Sequence, residues 1–253
     1  MAEREPFYIG YEARVPAPLV RHIRRVVVLV LLLAVGVASL VVALQQKFVE
    51  AHFEYGNVQS FEGRLAAEPY PTLTVTAPSA HAGETLLLVD RGKKGAESRV
   101  TGLDNHRVRL SGQLIHRRDS AMIELASAPV EDLGPARLPA PIERSLGEHR
   151  LIGEIVDSKC HLGVMKPGEG KPHRACAARC LDGGSPPLLW VRSRDGGVAH
   201  YLLAGRDGRA LGRELLHVVA EPVSVAGELV RRGELWMLYT EPIEIERVAP
   251  DAG

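Results

Sequence analysis

The longest apolar stretch in the chain is Val26–Leu44, 19 residues without a charge between Arg25 and Gln45. At about 1.5 Å per residue, a helix over it spans about 28 Å, close to the hydrocarbon thickness of a bilayer. Cleaved secretory leaders carry a shorter apolar core, about 7–15 residues, before a small-residue cleavage pattern. Val41 and Ala43 make a poor pattern of that kind. The run therefore predicts an uncleaved transmembrane helix over residues 26–44. Arg14, Arg21, Arg24 and Arg25 precede it, whereas only Lys47 follows closely. The positive-inside rule then puts a tail, residues 1–25, in the cytoplasm and exports everything after Gln45. The expected location is the inner (cytoplasmic) membrane, with a juxtamembrane segment at 45–57 and the C-terminal bulk in a periplasm or its equivalent.

From about residue 58 the pattern changes to short segments that alternate apolar and polar positions or run apolar, bounded by Gly, Asp and Arg clusters. This predicts short β-strands and turns. Two sets of these segments are copies of one another. A shift of 115 positions lays Tyr70–Glu124 on Ser185–Tyr239 without a gap, Val108–Ile115 on Val223–Val230, and Met122–Ile123 on Met237–Leu238. Each copy opens with a similar strand, Phe61–Leu65 and Leu151–Ile155, but Gly63 and Gly153 are 90 apart. The second copy has therefore gained about 25 residues between its first two strands. The glycine within each matched strand predicts a bulge or sharp bend, as small closed barrels need. The expected fold is mainly β: one transmembrane helix, then two tandem small OB-like β-barrels at 58–130 and 148–248. A proline-spaced linker, 131–147, joins them, and the second carries a Cys/His insertion at about 157–184 containing a short helix. A single ten-stranded sandwich is the rival arrangement.

All three cysteines of the chain lie inside that insertion. Pro172 suits the first turn of a helix and Gly183-Gly184 its end. On such a helix His173, Cys176 and Cys180 share one narrow face, and Cys160 arrives from the preceding loop. Gly168 and Gly170 let that loop fold back. Cys160, His173, Cys176 and Cys180 thus offer a Cys3His set that suits tetrahedral zinc. Copper is the other candidate, with His161 and the thioether of Met165 as possible further donors, because Cu(I) favours soft ligands. Asp157 is placed to cap the turn or to orient a ligand. Two other readings stand beside metal binding. Cys160 can form a disulfide with Cys176 or Cys180, pinning the loop of a scaffold that binds protein or glycan. Alternatively, two of the thiols cycle between reduced and oxidised states. A bond between Cys176 and Cys180 along one helix fits disulfide geometry poorly.

The remaining composition mostly excludes. Thirty-one basic and 31 acidic residues give no net charge, against a sequence-independent nucleic-acid binder. Neither Cys-x-x-Cys nor Cys-x-x-Cys-His occurs, removing the thioredoxin motif and covalent c-type haem. No nucleophile, base and orienting residue stand together, so a non-enzymatic role is expected.

The insertion resembles a family of uncharacterised exported bacterial proteins. The resemblance rests on Val156-Asp157-x-x-Cys160, Gly168-x-Gly170-x-x-His173-x-x-Cys176-Ala177-x-x-Cys180 and Gly183-Gly184-x-Pro186. It covers the insertion and its immediate frame, and implies export and importance of these residues without an activity. Together these observations predict a membrane-anchored periplasmic metal-binding protein, an accessory or assembly subunit of a membrane or redox complex with a protein partner there.

Overall fold

The computed structural model describes residues 15–45, 51–137, 139–193 and 195–248. Most of the expected cytoplasmic tail, residues 46–50 of the juxtamembrane segment, and the flanking charges Arg14 and Lys47 lie outside the described residues. Helix α1 runs Ala17–Leu44 over 28 residues, has Pro16 at its N-cap, and buries none of them. It begins ahead of the uncharged run because Arg21, Arg24 and Arg25 are good helix formers and the prolines set the start. Its length and composition fit a membrane anchor or a signal sequence.

The β-rich remainder is one compact unit. In its first half, β1 (Gln59–Ala66), β2 (Thr72–Ala77), β3 (Thr85–Asp90), β4 (His106–Arg117) and β5 (Ser120–Leu125) form a closed ring. Antiparallel pairs join β1 to β2, β2 to β3, β5 to β4 and β4 back to β1, and one parallel pair joins β3 to β5. In the second half, β6 (Glu143–Asp157), β7 (Pro187–Arg192), β8 (Val198–Gly205), β9 (Pro222–Arg232) and β10 (Leu235–Thr240) pair in the same sequence. These pairings likewise return to β6, again with one parallel pair, β8 with β10. The stretch 131–147 carries strand at both ends. Glu131–Pro135 pairs with β4, and β6 starts at Glu143 against the end of β9. Pro139 and Pro141 fall between those strands, where no ladder bond is needed.

Register repeats as well as sequence. Leu87 faces Met122 and Ile115 faces Met122, as Leu202 and Val230 face Met237. Strand β2 departs from the ungapped alignment by one residue: Leu65 faces Leu73, whereas Ile155 faces Leu189. Leu73 therefore corresponds to Leu189 rather than Leu188, and the β2–β3 connection is one residue longer than β7–β8. The matched glycines have a common cause. A Cβ on Gly63 or Gly153 would strike the carbonyl of Thr74 or Trp190, and one on Gly112 or Gly227 that of Glu124 or Tyr239. Only glycine allows so close an approach by the neighbouring strand.

The apolar runs in β3 and β8 have two jobs. Leu86 and Leu88 fill the first core, and Leu203 fills the second. Leu87, Val89, Ile115 and Met122 point the other way, into a third core shared with their counterparts Leu202, Ala204, Val230 and Met237. Strands buried on both faces lose their period-two pattern, which is why these runs read as continuously apolar. Tyr70 fixes this junction. Its hydroxyl lies 2.9 Å from Leu203 O and 3.0 Å from Leu211 O, and accepts the Leu211 N–H at 2.7 Å.

Candidate metal centre

The insertion leaves β6 at Asp157 and folds in three short steps. Cys160–Val164 forms a wide turn in which the Met165 N–H donates to Cys160 O at 3.1 Å. Asp157 Oδ1 accepts the Cys160 N–H at 2.9 Å, capping that turn as an N-cap aspartate caps a helix. A 3-10 turn over Lys171–His173 then leads into α2 (Arg174–Asp182), which ends at Gly183. Ala177 and Leu181, one turn apart, enter the second core. The adjoining face of α2 turns Cys176 and Cys180 toward Cys160.

Cys160 Sγ lies 3.7 Å from Cys176 Sγ and 3.8 Å from Cys180 Sγ, and all three thiols are free. His173 stands beside this triangle. Its 3-10 turn breaks the 100° step that α-helical spacing assumes, and its Nε2–H donates to Asp157 Oδ2 at 2.9 Å. Cysteines 160, 176 and 180 bring their sulfurs within 4.8 Å of one another, and Asp157, Cys160 and His173 form a second such group. Cys160 belongs to both. Asp157 and His173 are buried, whereas Cys176 is partly exposed.

The other half of the molecule completes the site. The turn after β3 carries Lys93, whose ammonium donates to Cys176 Sγ at 2.7 Å and to Cys180 Sγ at 3.7 Å. Two insertion elements hold that turn. Lys159 Nζ donates to Asp90 O (2.9 Å) and Gly92 O (2.6 Å) and pairs with Glu124. Gly183 O accepts the Gly95 N–H at 2.8 Å, and a side chain on Gly183 would run into Lys93 O. The sulfurs share their protons unequally. Its hydrogen bond with Cys180, then burial, pushes the Cys160 thiol up. The same bond, helped by the Lys93 charge, pulls Cys180 down against its burial. The bond to Cys176 in turn raises Lys93.

His161 and Met165 fall away from the sulfurs. Met165 is exposed and meets the site through its backbone. His161, fully buried, faces the junction: its Nε2 lies 3.0 Å from His200 Nε2 and its Nδ1 3.2 Å from Glu169 Oε2. Ser120 Oγ is 2.9 Å from His200 Nδ1, and Arg117 pairs with Glu169 at 2.9 Å. One set of protons satisfies the chain, Ser120 donating to His200, His200 to His161, and His161 to Glu169. It opens at Ser120 and His200 onto a cleft of about 620 Å³.

This chain makes stability depend on pH. Burial, then the neighbouring charges of His161 and Arg117, lowers His200 from 6.5 to about 3. Burial alone would raise Glu169, but hydrogen bonds from His161 and Arg117 bring it from 4.5 to about 2. Below pH 6.5 the unfolded chain takes a proton that folded His200 refuses, and below 4.5 Glu169 adds the same imbalance. Both therefore favour the folded state at neutral pH, and that advantage shrinks on acidification. Urea unfolding between pH 6 and 5 is expected to show stability falling by about 1.4 kcal/mol per pH unit through His200, with Glu169 adding its share only below about pH 4.5. His200→Gln flattens the slope. An unchanged slope in that variant refutes the assignment to His200.

The sulfur triangle fits a metal. A tetrahedral centre with metal–sulfur bonds of about 2.3 Å has edges of about 3.8 Å, and the two distances from Cys160 match it. Asp157 was visible from sequence as a cap or an orienting group, and here it contacts both Cys160 and His173. Lys93 and Lys159 were not visible as partners. No motif marks them, and they meet the site only because the two halves pack together. No protein-family model matches the chain, and no curated protein matches it by sequence.

Proposed function

We propose that this is a membrane-anchored, extracytoplasmic metal-binding protein that holds zinc or copper through Cys160, Cys176 and Cys180. The observation that carries the reading is the triangle of free sulfurs at 3.7 and 3.8 Å from Cys160. Asp157 positions Cys160 and keeps His173 alongside. In this reading the two sheets are tandem OB-like barrels, the second bearing the site and the first supplying Lys93. The arginines ahead of the uncharged run support an orientation with the N-terminus inside, and the resemblance of the insertion to exported bacterial proteins supports a periplasmic location. The gathering of all three cysteines at one place on an anchored β body supports an accessory or assembly role in a larger membrane or redox complex. Metal analysis of the full chain, purified in detergent under reducing conditions, is expected to find about one equivalent of zinc or copper. Cys160→Ser or Cys180→Ser removes it. Less than about half an equivalent after reconstitution of the wild type overturns the reading.

Thiol–disulfide exchange is the second reading, favoured by Cys160 standing within 3.8 Å of both other sulfurs beside the Lys93 ammonium. Alkylation with mass mapping separates the two. A bond that forms and breaks at a physiological potential in metal-free protein, with no metal retained, selects exchange.

A further inference from the structure

We propose that the metal centre keeps its fourth coordination position for an exogenous monodentate anion, with Lys93 as the cation that pairs with it. The proposal rests on the metal-binding reading above. A structural zinc site is closed by four protein donors, whereas a working site leaves one position to water or substrate. Here Cys160 Sγ stands at tetrahedral-edge distance from both other sulfurs, and all three lie within 4.8 Å of one another. The donor that spacing offered as a fourth, His173, gives its Nε2–H to the buried Asp157 carboxylate instead. It comes within range of Cys160 but forms no common group with Cys176 and Cys180. His161 faces His200, and Met165 is exposed. Among the described residues, no fourth His, Cys, Asp or Glu joins the three sulfurs.

The Lys93 charge bears on the ligand that suits this vertex. Three thiolates on a divalent ion carry one negative charge, and an anionic fourth ligand brings the centre to two. The Lys93 ammonium, 2.7 Å from the partly exposed Cys176, offsets one of these and makes an anion acceptable at the open position. Hydroxide, a thiolate or a small inorganic anion all meet this description. Metal loading releases the thiol protons to solvent, and the anion then takes the place of a water at the fourth position with no change of oxidation state.

The test loads the full chain in detergent micelles with Co(II) under anaerobic, reducing conditions and adds azide. Sulfur-to-cobalt absorption reports the metal, and the visible ligand-field bands report its fourth ligand. The expected result is a saturable shift of those bands with azide, unchanged in His173→Ala. Lys93→Gln, read against its own azide-free spectrum, weakens azide binding by about tenfold, the loss of one charge-assisted contact. Bands indifferent to azide overturn the open position, and a starting spectrum altered by His173→Ala identifies a closed Cys3His centre in its place. Absence of any sulfur-to-cobalt absorption is a different failure, and it removes the metal-binding reading itself.

Discussion

Replacing Lys159 with alanine is expected to destabilise the β-rich body by about 3–5 kcal/mol, the usual cost of leaving one partner of a buried ion pair alone. Lys159 is 3% exposed and Glu124 is 6% exposed, and they belong to opposite halves of the molecule. Without the ammonium, the Glu124 carboxylate and the carbonyls of Asp90 and Gly92 lose their shared donor. Changing Glu124→Leu as well, with Lys159→Met, recovers most of the loss, because two apolar chains remove the stranded charge. The two carbonyls stay unpaired, so recovery is incomplete. Urea unfolding followed by circular dichroism measures both steps, and a loss below about 1 kcal/mol for Lys159→Ala contradicts the assignment. The turn held by Lys159 also carries Lys93, so the same variant loosens the cation beside Cys176.

The strand pattern was readable in advance because repetition doubles every signal. Val108–Ile115 and Val223–Val230 are similar in sequence because they do the same work in two places, down to the glycines pressed against Glu124 O and Tyr239 O. The clustering of cysteines was equally plain, since the longer second copy isolated them. What remained hidden depends on contacts between the halves. Leu87 and Leu202 read as ordinary core residues, and nothing local shows that they share one core at the junction. Lys93 sits in a turn with no motif, 83 residues before the sulfur it touches. His173 shows the opposite limit. Its spacing from Cys176 and Cys180 predicted a shared face, but a 3-10 turn ahead of Arg174 and a buried carboxylate redirected the ring. Helix α1 contains the apolar run and extends beyond it, because charge ends that run at Arg25 whereas backbone helix continues back to Ala17.

Asp157 is where these local and distant effects meet, and its replacement separates them. Asp157→Ala is expected to weaken metal binding by about 10–100-fold, the usual effect of removing a group that holds a ligand in place. The reason lies in Oδ1: without it the Cys160 N–H has no acceptor, the turn over Cys160–Val164 loses its cap, and one corner of the sulfur triangle drifts. Asp157→Asn keeps an oxygen for that N–H and a donor for a neutral His173 ring, so it retains most of the affinity. His173→Ala removes the other partner and leaves the cap intact. Competition against a chromophoric chelator ranks the three. If the cap governs, alanine at 157 is the severe variant and the other two remain near wild type. If His173→Ala falls as far as Asp157→Ala, the carboxylate acts through the imidazole instead, and His173 belongs among the ligands after all.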